Sequence, residues 1–429
     1  MTTGDYLDLF DASELSRERF SDLKDNSFWN NSSEKELKLH RIHAYPAKFP
    51  AFITSKAFDY AAAHNIKVKT VADVFCGCGT VAFEARRNSI DFWGCDINPV
   101  ATLIATAKSN SYTLKKLEDY YEKIMIAFPR ASKKVDLTKS AIERLNYWYH
   151  PEQLHDLAKL LNAINGTVST RSHYRAFFLC AFSNILKSAS RWLTKSIKPQ
   201  IDPVKQPANV LAAFSVQFSS MVRAWEQTDL SSTSTTKIVN ANVLEISAPP
   251  KAIDMIVTSP PYVTSYEYAD LHQLSSLWLG YASDYRDLRT GSIGSTQHSL
   301  DFNREVKRLN RVGSEIVFSL FDRDRAIAKS TAKYFLDMQQ VTKRCYKFLK
   351  PKGLALFVIG NTEYKSIRID NAAHLSESLL GSGFSKVRVA KRRITNKILT
   401  PYRTEQGRFT RSDTGRHVYG EEFILIASK

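Results

Sequence analysis

The feature that most restricts the fold is a short apolar run that stops in glycines and restarts as a helix. Val71–Phe75 reads as a strand, Cys76-Gly77-Cys78-Gly79-Thr80 breaks it, and Val81–Asn88 has a helical pattern. Glycines suit a backbone that must turn sharply and let a ligand lie against it with no β-carbon in the way. A second strand, Asp91–Cys95, ends in Asp96-Ile97-Asn98 about twenty residues on, where a carboxylate can accept both hydroxyls of a ribose. Pro99 then opens the next helix. Ala82 stands where a dinucleotide fingerprint carries its third glycine, which the looser form of that pattern also allows. The glycines alone therefore leave the nucleotide open.

Further strands follow in the same rhythm at Lys237–Val239, Ala252–Thr258, Gly353–Ile359, Lys386–Ala390 and Glu422–Ala427, with a helix at Ala372–Leu380. Strands alternating with helices imply an α/β fold with a mostly parallel sheet, here of seven strands and Rossmann-like. Two stretches interrupt it. Residues 110–235 have helical periodicity almost throughout, as in Gln153–Leu161 and His173–Trp192, and 264–335 are polar and rich in Arg and Asp. The expected organisation is an acidic leader at 1–40 and a core in three parts at 41–109, 236–263 and 336–429. A largely helical insert at 110–235 and a smaller insert at 264–335 separate those parts.

Charge narrows the partners. The 429 residues hold 60 Lys+Arg against 43 Asp+Glu, a net +17, which points to a polyanion. The leader is net −4, so the other residues carry +21, and Lys386 to Arg416 alone hold ten bases against Glu405 and Asp413. Five cysteines in a long chain fit a reducing compartment, and Cys76-x-Cys78 lacks the further ligands of a zinc site, so no metal is expected. No signal segment and no apolar run of about 18 residues is present, so a cytoplasmic protein without membrane spans is expected.

The second informative motif is Thr258-Ser259-Pro260-Pro261-Tyr262 at the end of a strand. Two prolines stop the ladder and fix the backbone, holding the Ser259 side chain and the Pro260 carbonyl at the carboxyl edge of the sheet. Both oxygens can accept hydrogen bonds from one amino group, and Tyr262 offers a ring to stack on a planar base. Such a site suits the exocyclic amine of a nucleobase.

On these residues the chain resembles the DNA amino-methyltransferases. Asp73-Val74-Phe75-Cys76-Gly77-Cys78-Gly79-Thr80 is similar to their S-adenosylmethionine loop, and Thr258–Tyr262 to their TSPPY catalytic motif. His40–Pro50, with Tyr45, Pro46 and Lys48, resembles the segment that closes over the methionine end of the cofactor. Asn240-Ala241-Asn242-Val243 stands near the place of the cofactor adenine. The resemblance implies S-adenosylmethionine bound by Tyr45, Pro46, Lys48, Asp73, Phe75, Gly77, Gly79, Thr80, Asp96, Ile97, Asn98, Asn242 and Val243. It implies catalysis by Ser259, Pro260, Pro261 and Tyr262.

The implied reaction is methyl transfer to the amino group of a base flipped out of double-stranded DNA, beside a cognate restriction endonuclease. TSPPY is commonest among cytosine N4 enzymes, which favours 4-methylcytosine. The order of motifs, with the cofactor loop first, keeps adenine N6 as the alternative. RNA guanine N2 methylation is a more distant one, since its site usually reads Asp-Pro-Pro-Tyr. Cytosine C5 methylation needs a thiolate, normally in a Pro-Cys dipeptide, and none of the five cysteines follows a proline. Lys391, Arg392 and Arg393, with Arg403, Arg408 and Arg411, are the expected contacts to the DNA backbone because little acid offsets them in sequence.

Overall fold

A computed structural model describes residues 9–17, 19–30, 35–45, 48, 50–196, 198–228, 233–263, 268–294, 300–394 and 421–429. The leader carries β1 (Phe10–Asp11) and two single-turn helices, α1 (Arg19–Asp22) and α2 (Ser27–Asn30). Then come α3 (Ala51–Ala63), β2 (Thr70–Asp73), α4 (Thr80–Arg87), β3 (Asp91–Asp96) and α5 (Pro99–Ser109). Five helices follow, α6 (Leu114–Ala127), α7 (Lys139–Trp148), α8 (Pro151–Thr167), α9 (Tyr174–Ile185) and α10 (Val210–Glu226). The chain returns to the sheet with β4 (Thr236–Asn240) and β5 (Ile253–Thr258). It leaves again through α11 (Tyr268–Leu271), α12 (Gln273–Trp278), α13 (Phe302–Glu305), α14 (Arg311–Phe321) and α15 (Arg325–Phe348). It closes with β6 (Leu349–Ile359), the hairpin β7 (Thr362–Tyr364) and β8 (Ile367–Ile369), α16 (Asn371–Leu380), β9 (Lys386–Arg393) and β10 (Glu421–Ser428).

The sheet has the order β4-β3-β2-β5-β6-β10-β9-β1. Pairs from β4 to β6 are parallel, while β10 runs antiparallel to both β6 and β9. β2 is buried at all of its positions and β5 at all but Asp254, as strands covered on both faces require. This is the expected Rossmann-like α/β fold. Its strand order reverses between β2 and β5, and ligands of such sheets bind in the crevice beyond the carboxyl ends at that switch point. The cofactor-loop resemblance lies at the end of β2 and the TSPPY resemblance at the end of β5.

The leader differs from its expected place outside the core. β1 pairs with β9, Phe10 opposite Val389 and Asp11 opposite Arg388, making the sheet eight-stranded. Phe20 and Trp29 are buried, and Phe20 packs edge-on against Phe423 of β10. Residues 264–335 also divide. Leu274, Leu277 and Trp278 join the hydrophobic cluster of the helices α6–α10, whereas Phe302, Val312, Ile316 and Leu320 join the cluster on one face of the sheet. The helix expected over His173–Trp192 ends at Ile185, and turns carry the chain on.

Candidate active site

The glycine loop is held from both strand ends. Asp73 closes β2, and its Oδ1 accepts from the Phe75 N–H at 3.1 Å. Asp96 closes β3, its Oδ2 accepting from the Gly77 N–H and its Oδ1 from the Asn98 N–H, both at 2.8 Å. The two glycines serve different ends. Both lie in the left-handed region, with φ of +47° at Gly77 and +76° at Gly79. A β-carbon on Gly77 would meet only ordinary contact with the Tyr45 ring, at 3.6 Å. On Gly79 it would fall 2.7 Å from the Ala105 β-carbon, so Gly79 lets α4 pack on α5 instead of making room for a ligand. Thr80 is buried as the first residue of α4, and Phe75 packs partly against the sheet cluster.

Beyond Asp96, Ile97 is 37% exposed, an apolar side chain left bare at the carboxyl edge of the sheet. Asn98 caps α5, its Oδ1 accepting from the Val100 N–H at 3.0 Å. Asn240, overlooked as a site residue in the sequence, donates through Nδ2 to the carbonyls of Asp96 at 2.9 Å and Ile97 at 3.0 Å, fixing that corner. Asn242 donates to the Gly291 carbonyl at 3.2 Å and accepts from the Leu244 N–H, so its amide shapes the rim beside Ile97. Val243 departs from expectation. Its side chain is buried in the sheet cluster, which leaves only its backbone near the rim.

Tyr45 stacks on His272 at 5.0 Å between ring centroids and stands opposite Gly77. Lys48, expected at the cofactor, has its ammonium on both oxygens of Glu36, at 3.1 and 3.0 Å, and on the His40 carbonyl at 2.9 Å. It therefore fastens its own segment. Pro46 lies outside the described residues.

The Thr258–Tyr262 turn is joined to the glycine loop directly. The Thr258 hydroxyl donates to Asp73 Oδ1 at 2.6 Å, a contact that follows from the pairing of Ala72 with Ile256 in the adjacent strands. Burial pushes the Asp73 carboxyl up to about 7 despite the hydrogen bonds from Thr258 and Phe75, and it also raises Asp96. Ser259 Oγ donates to the Val358 carbonyl at 3.0 Å. Its proton is thereby used, which leaves the oxygen to act as an acceptor. Pro260 is buried, and Pro261 and Tyr262 are half-buried.

Tyr262 donates through its hydroxyl to Glu422 Oε1 at 3.1 Å, and Glu422 Oε2 accepts from Arg392 at 2.5 Å. Arg392 also donates through Nε to the Trp29 carbonyl, and its side chain is 2% exposed. This corrects the expected contact of Arg392 with the DNA backbone, because a guanidinium so enclosed has no access to a phosphate. Lys391 donates to the Ser21 carbonyl at 2.7 Å, and Arg393 pairs with Asp25 at 3.0 Å. The acids that offset two of these bases, Asp25 for Arg393 and Glu422 for Arg392, lie far away in sequence, and the Arg393 side chain stays 72% exposed. Arg403, Arg408 and Arg411 lie outside the described residues. Glu422 was not anticipated, since a lone glutamate opening a strand carries no sequence signal.

All five cysteines are buried and free, and burial raises the thiols of Cys76, Cys95, Cys180 and Cys345, the last two up to about 12. None of these four is poised as a thiolate nucleophile. Among the described residues no cluster of His, Cys, Asp and Glu could hold a metal, and no helix is long and apolar enough to cross a membrane.

The chain is similar to Type II methyltransferases. It is 24% identical over 377 residues to the Type II methyltransferase M.MvaI of Kocuria varians, a match covering 81% of this chain and 82% of that protein. It is 22% identical over 357 residues to M.BsoBI of Geobacillus stearothermophilus, covering 70% and 69%. No protein-family model matches. Among solved structures, the rRNA methyltransferase aviRa from Streptomyces viridochromogenes matches at 10% identity over 92% of this chain and 90% of its own. Its TM-score is 0.27, too low to bear on this chain.

Proposed function

We propose that this chain is a DNA methyltransferase that transfers a methyl group from S-adenosylmethionine to the exocyclic N4 of a flipped cytosine within a specific duplex sequence, as the modification partner of a restriction endonuclease. The similarity to Type II methyltransferases along most of both chains supports the class. The observation that carries the chemistry is the Ser259 hydroxyl, whose proton is committed to Val358, which leaves its oxygen an acceptor next in sequence to the Pro260 carbonyl.

The residues at the switch point suit the proposed cofactor. Ile97 supplies a bare apolar surface for a flat ring, the Asp96 carboxylate keeps lone pairs for ribose hydroxyls, and Gly77 leaves room for the amino-acid end beneath Tyr45. When bound, that cofactor supplies the electrophilic methyl group on its sulfonium. The protein's own work is then positional. Ser259 Oγ and the Pro260 carbonyl accept the two N–H bonds of the exocyclic amine, draw it toward tetrahedral geometry and localise its lone pair. Tyr262, tethered to Glu422, stacks on the ring. The Thr258 bond to Asp73 keeps the two half-sites at a fixed separation. Positioning and fixed dipoles account for the acceleration, and the amine proton leaves after transfer.

Nucleoside mass spectrometry of DNA treated with the protein and S-adenosylmethionine tests this reading, with 4-methylcytosine as the expected product. Methylation of adenine alone would overturn the choice of base, and methylation of RNA alone the choice of polymer.

A further inference from the structure

The segment that brings Tyr45 to Gly77 lies outside any helix or strand, so its backbone groups depend on partners elsewhere. Those partners come from the helical bundle. The Ala44 N–H donates to Asn184 Oδ1 at 3.0 Å, Asn184 Nδ2 donates to Gln217 Oε1 at 2.7 Å, and Gln217 Nε2 donates to the Ile42 carbonyl at 2.7 Å. Asn184 sits in the last turn of α9 and Gln217 in the middle of α10.

The two amides thus close a ring that begins and ends on the same short stretch of backbone, and the ring has a direction. Reversing Asn184 would set its NH₂ against the Ala44 N–H and its oxygen against Gln217 Oε1. Reversing Gln217 as well would then set oxygen against the Ile42 carbonyl. A second tie runs alongside, from His43 Nε2 to Ser183 Oγ at 2.9 Å and from Ser183 to Ser275 of α12 at 2.7 Å.

We propose that α9 and α10 clamp the segment 42–45 over the glycine loop, with Asn184 and Gln217 as positioning residues for retention of the cofactor. The proposal rests on the reading of the Gly77 loop as the S-adenosylmethionine site. Neither amide reaches the glycine loop or the Thr258–Tyr262 turn in the described contacts. Their effect is exerted through the place of Tyr45.

The test uses the full chain. Gln217→Glu keeps the side-chain shape and turns an oxygen toward the Ile42 carbonyl. Asn184→Ser opens the ring without adding charge and serves if the first variant does not fold. For either variant the KM for S-adenosylmethionine and its calorimetric Kd are expected to rise about ten-fold, with kcat at saturating cofactor within about two-fold of the parent. Asn162→Ala is the control, because Asn162 ties the same bundle to the carbonyls of Ser132 and Lys134, away from the segment, and cofactor affinity should not move. A folded variant that binds S-adenosylmethionine as the parent does overturns the clamp. So does an equal loss in Asn162→Ala, which would mean that general loosening is responsible. If the parent itself does not bind S-adenosylmethionine, the reading of the site fails instead.

Discussion

The glycine loop and the Thr258–Tyr262 turn stand side by side at the ends of neighbouring strands, yet they are held in opposite ways. The glycine loop is anchored by its own neighbourhood. Asp73 reaches two residues ahead, Asp96 returns to Gly77, and the Cys76 N–H donates to the Cys95 carbonyl at 3.0 Å. The described side-chain anchors of the Thr258–Tyr262 turn are remote, Val358 lying 99 residues away, Glu422 160 and Asp73 185. A locally anchored loop is complete once one strand–helix–strand unit forms. The other turn exists only after the whole strand order is assembled.

The sharpest break of that contrast is Glu422→Ala. It leaves the Arg392 guanidinium buried without its carboxylate and is expected to cost about 3–5 kcal/mol of stability, measured by urea unfolding, while also freeing Tyr262 and lowering kcat. Unchanged unfolding would show that the remote anchors are dispensable. Next comes Gly79→Ala, which forces a β-carbon against Ala105 in a left-handed backbone and should destabilise by about 2–3 kcal/mol. Gly77→Ala, with strain but no clash, should cost about 1 kcal/mol. Thermal unfolding of the pair would tell whether the two glycines differ as described, and equal losses would refute it.

Thr258→Val cuts the side-chain bond from the Thr258–Tyr262 turn to Asp73 and should cost about 1–2 kcal/mol. Its kcat should fall with little change in cofactor affinity, since the glycine loop keeps its own anchors. A matching loss of cofactor affinity would mean that the loop is less independent than its contacts imply.

The smallest effect is on pH dependence. Burial lowers the imidazoles of His43 to about 3, His272 to about 4 and His374 to about 3. As pH drops below the ordinary histidine value of 6.5, the unfolded chain takes protons that the folded chain refuses, so stability falls across the window from 6.5 towards 4. Asp73, raised to about 7 from an ordinary 3.8, binds its proton first in the folded state and adds stability as pH falls through that range. Burial also lowers His40 and raises Asp96, so four imidazoles against two carboxyls leave a net loss, visible as a lower urea midpoint at pH 5.0 than at 6.5. Asp73→Asn should steepen it, and a midpoint that rises on acidification would contradict the balance.

The same contrast explains what could be read without coordinates. Val71–Phe75, the glycines, Asp96 and Pro99 follow one another, and each states its role through near neighbours. Thr258–Tyr262 was legible as rigid chemistry at a strand end, but not the partners of Ser259 and Tyr262, because nothing near 258 in sequence points to 358 or 422. Within the basic run at 391–393, Arg392 misled for the same reason. Charge counted along the chain reads as a free cationic strip, whereas Asp25 and Glu422 lie beside it in space. Val243 was misplaced because an apolar residue near an edge can face either the rim or the core, and the pattern around it does not decide between them.

The leader has a consequence for how the chain is made. Phe20 and Trp29 rest against strands made long after them, the Phe20 ring meeting Phe423 and the Trp29 carbonyl meeting Arg392. About four hundred residues separate those partners, which at about 5–20 residues per second is a wait of roughly 20–80 s. Until then two large aromatic side chains have no pocket to enter, and β1 has no strand to pair with. These early-made residues thus fold only after partners made about four hundred residues later, and the interval in which they stand bare is set by the rate of translation.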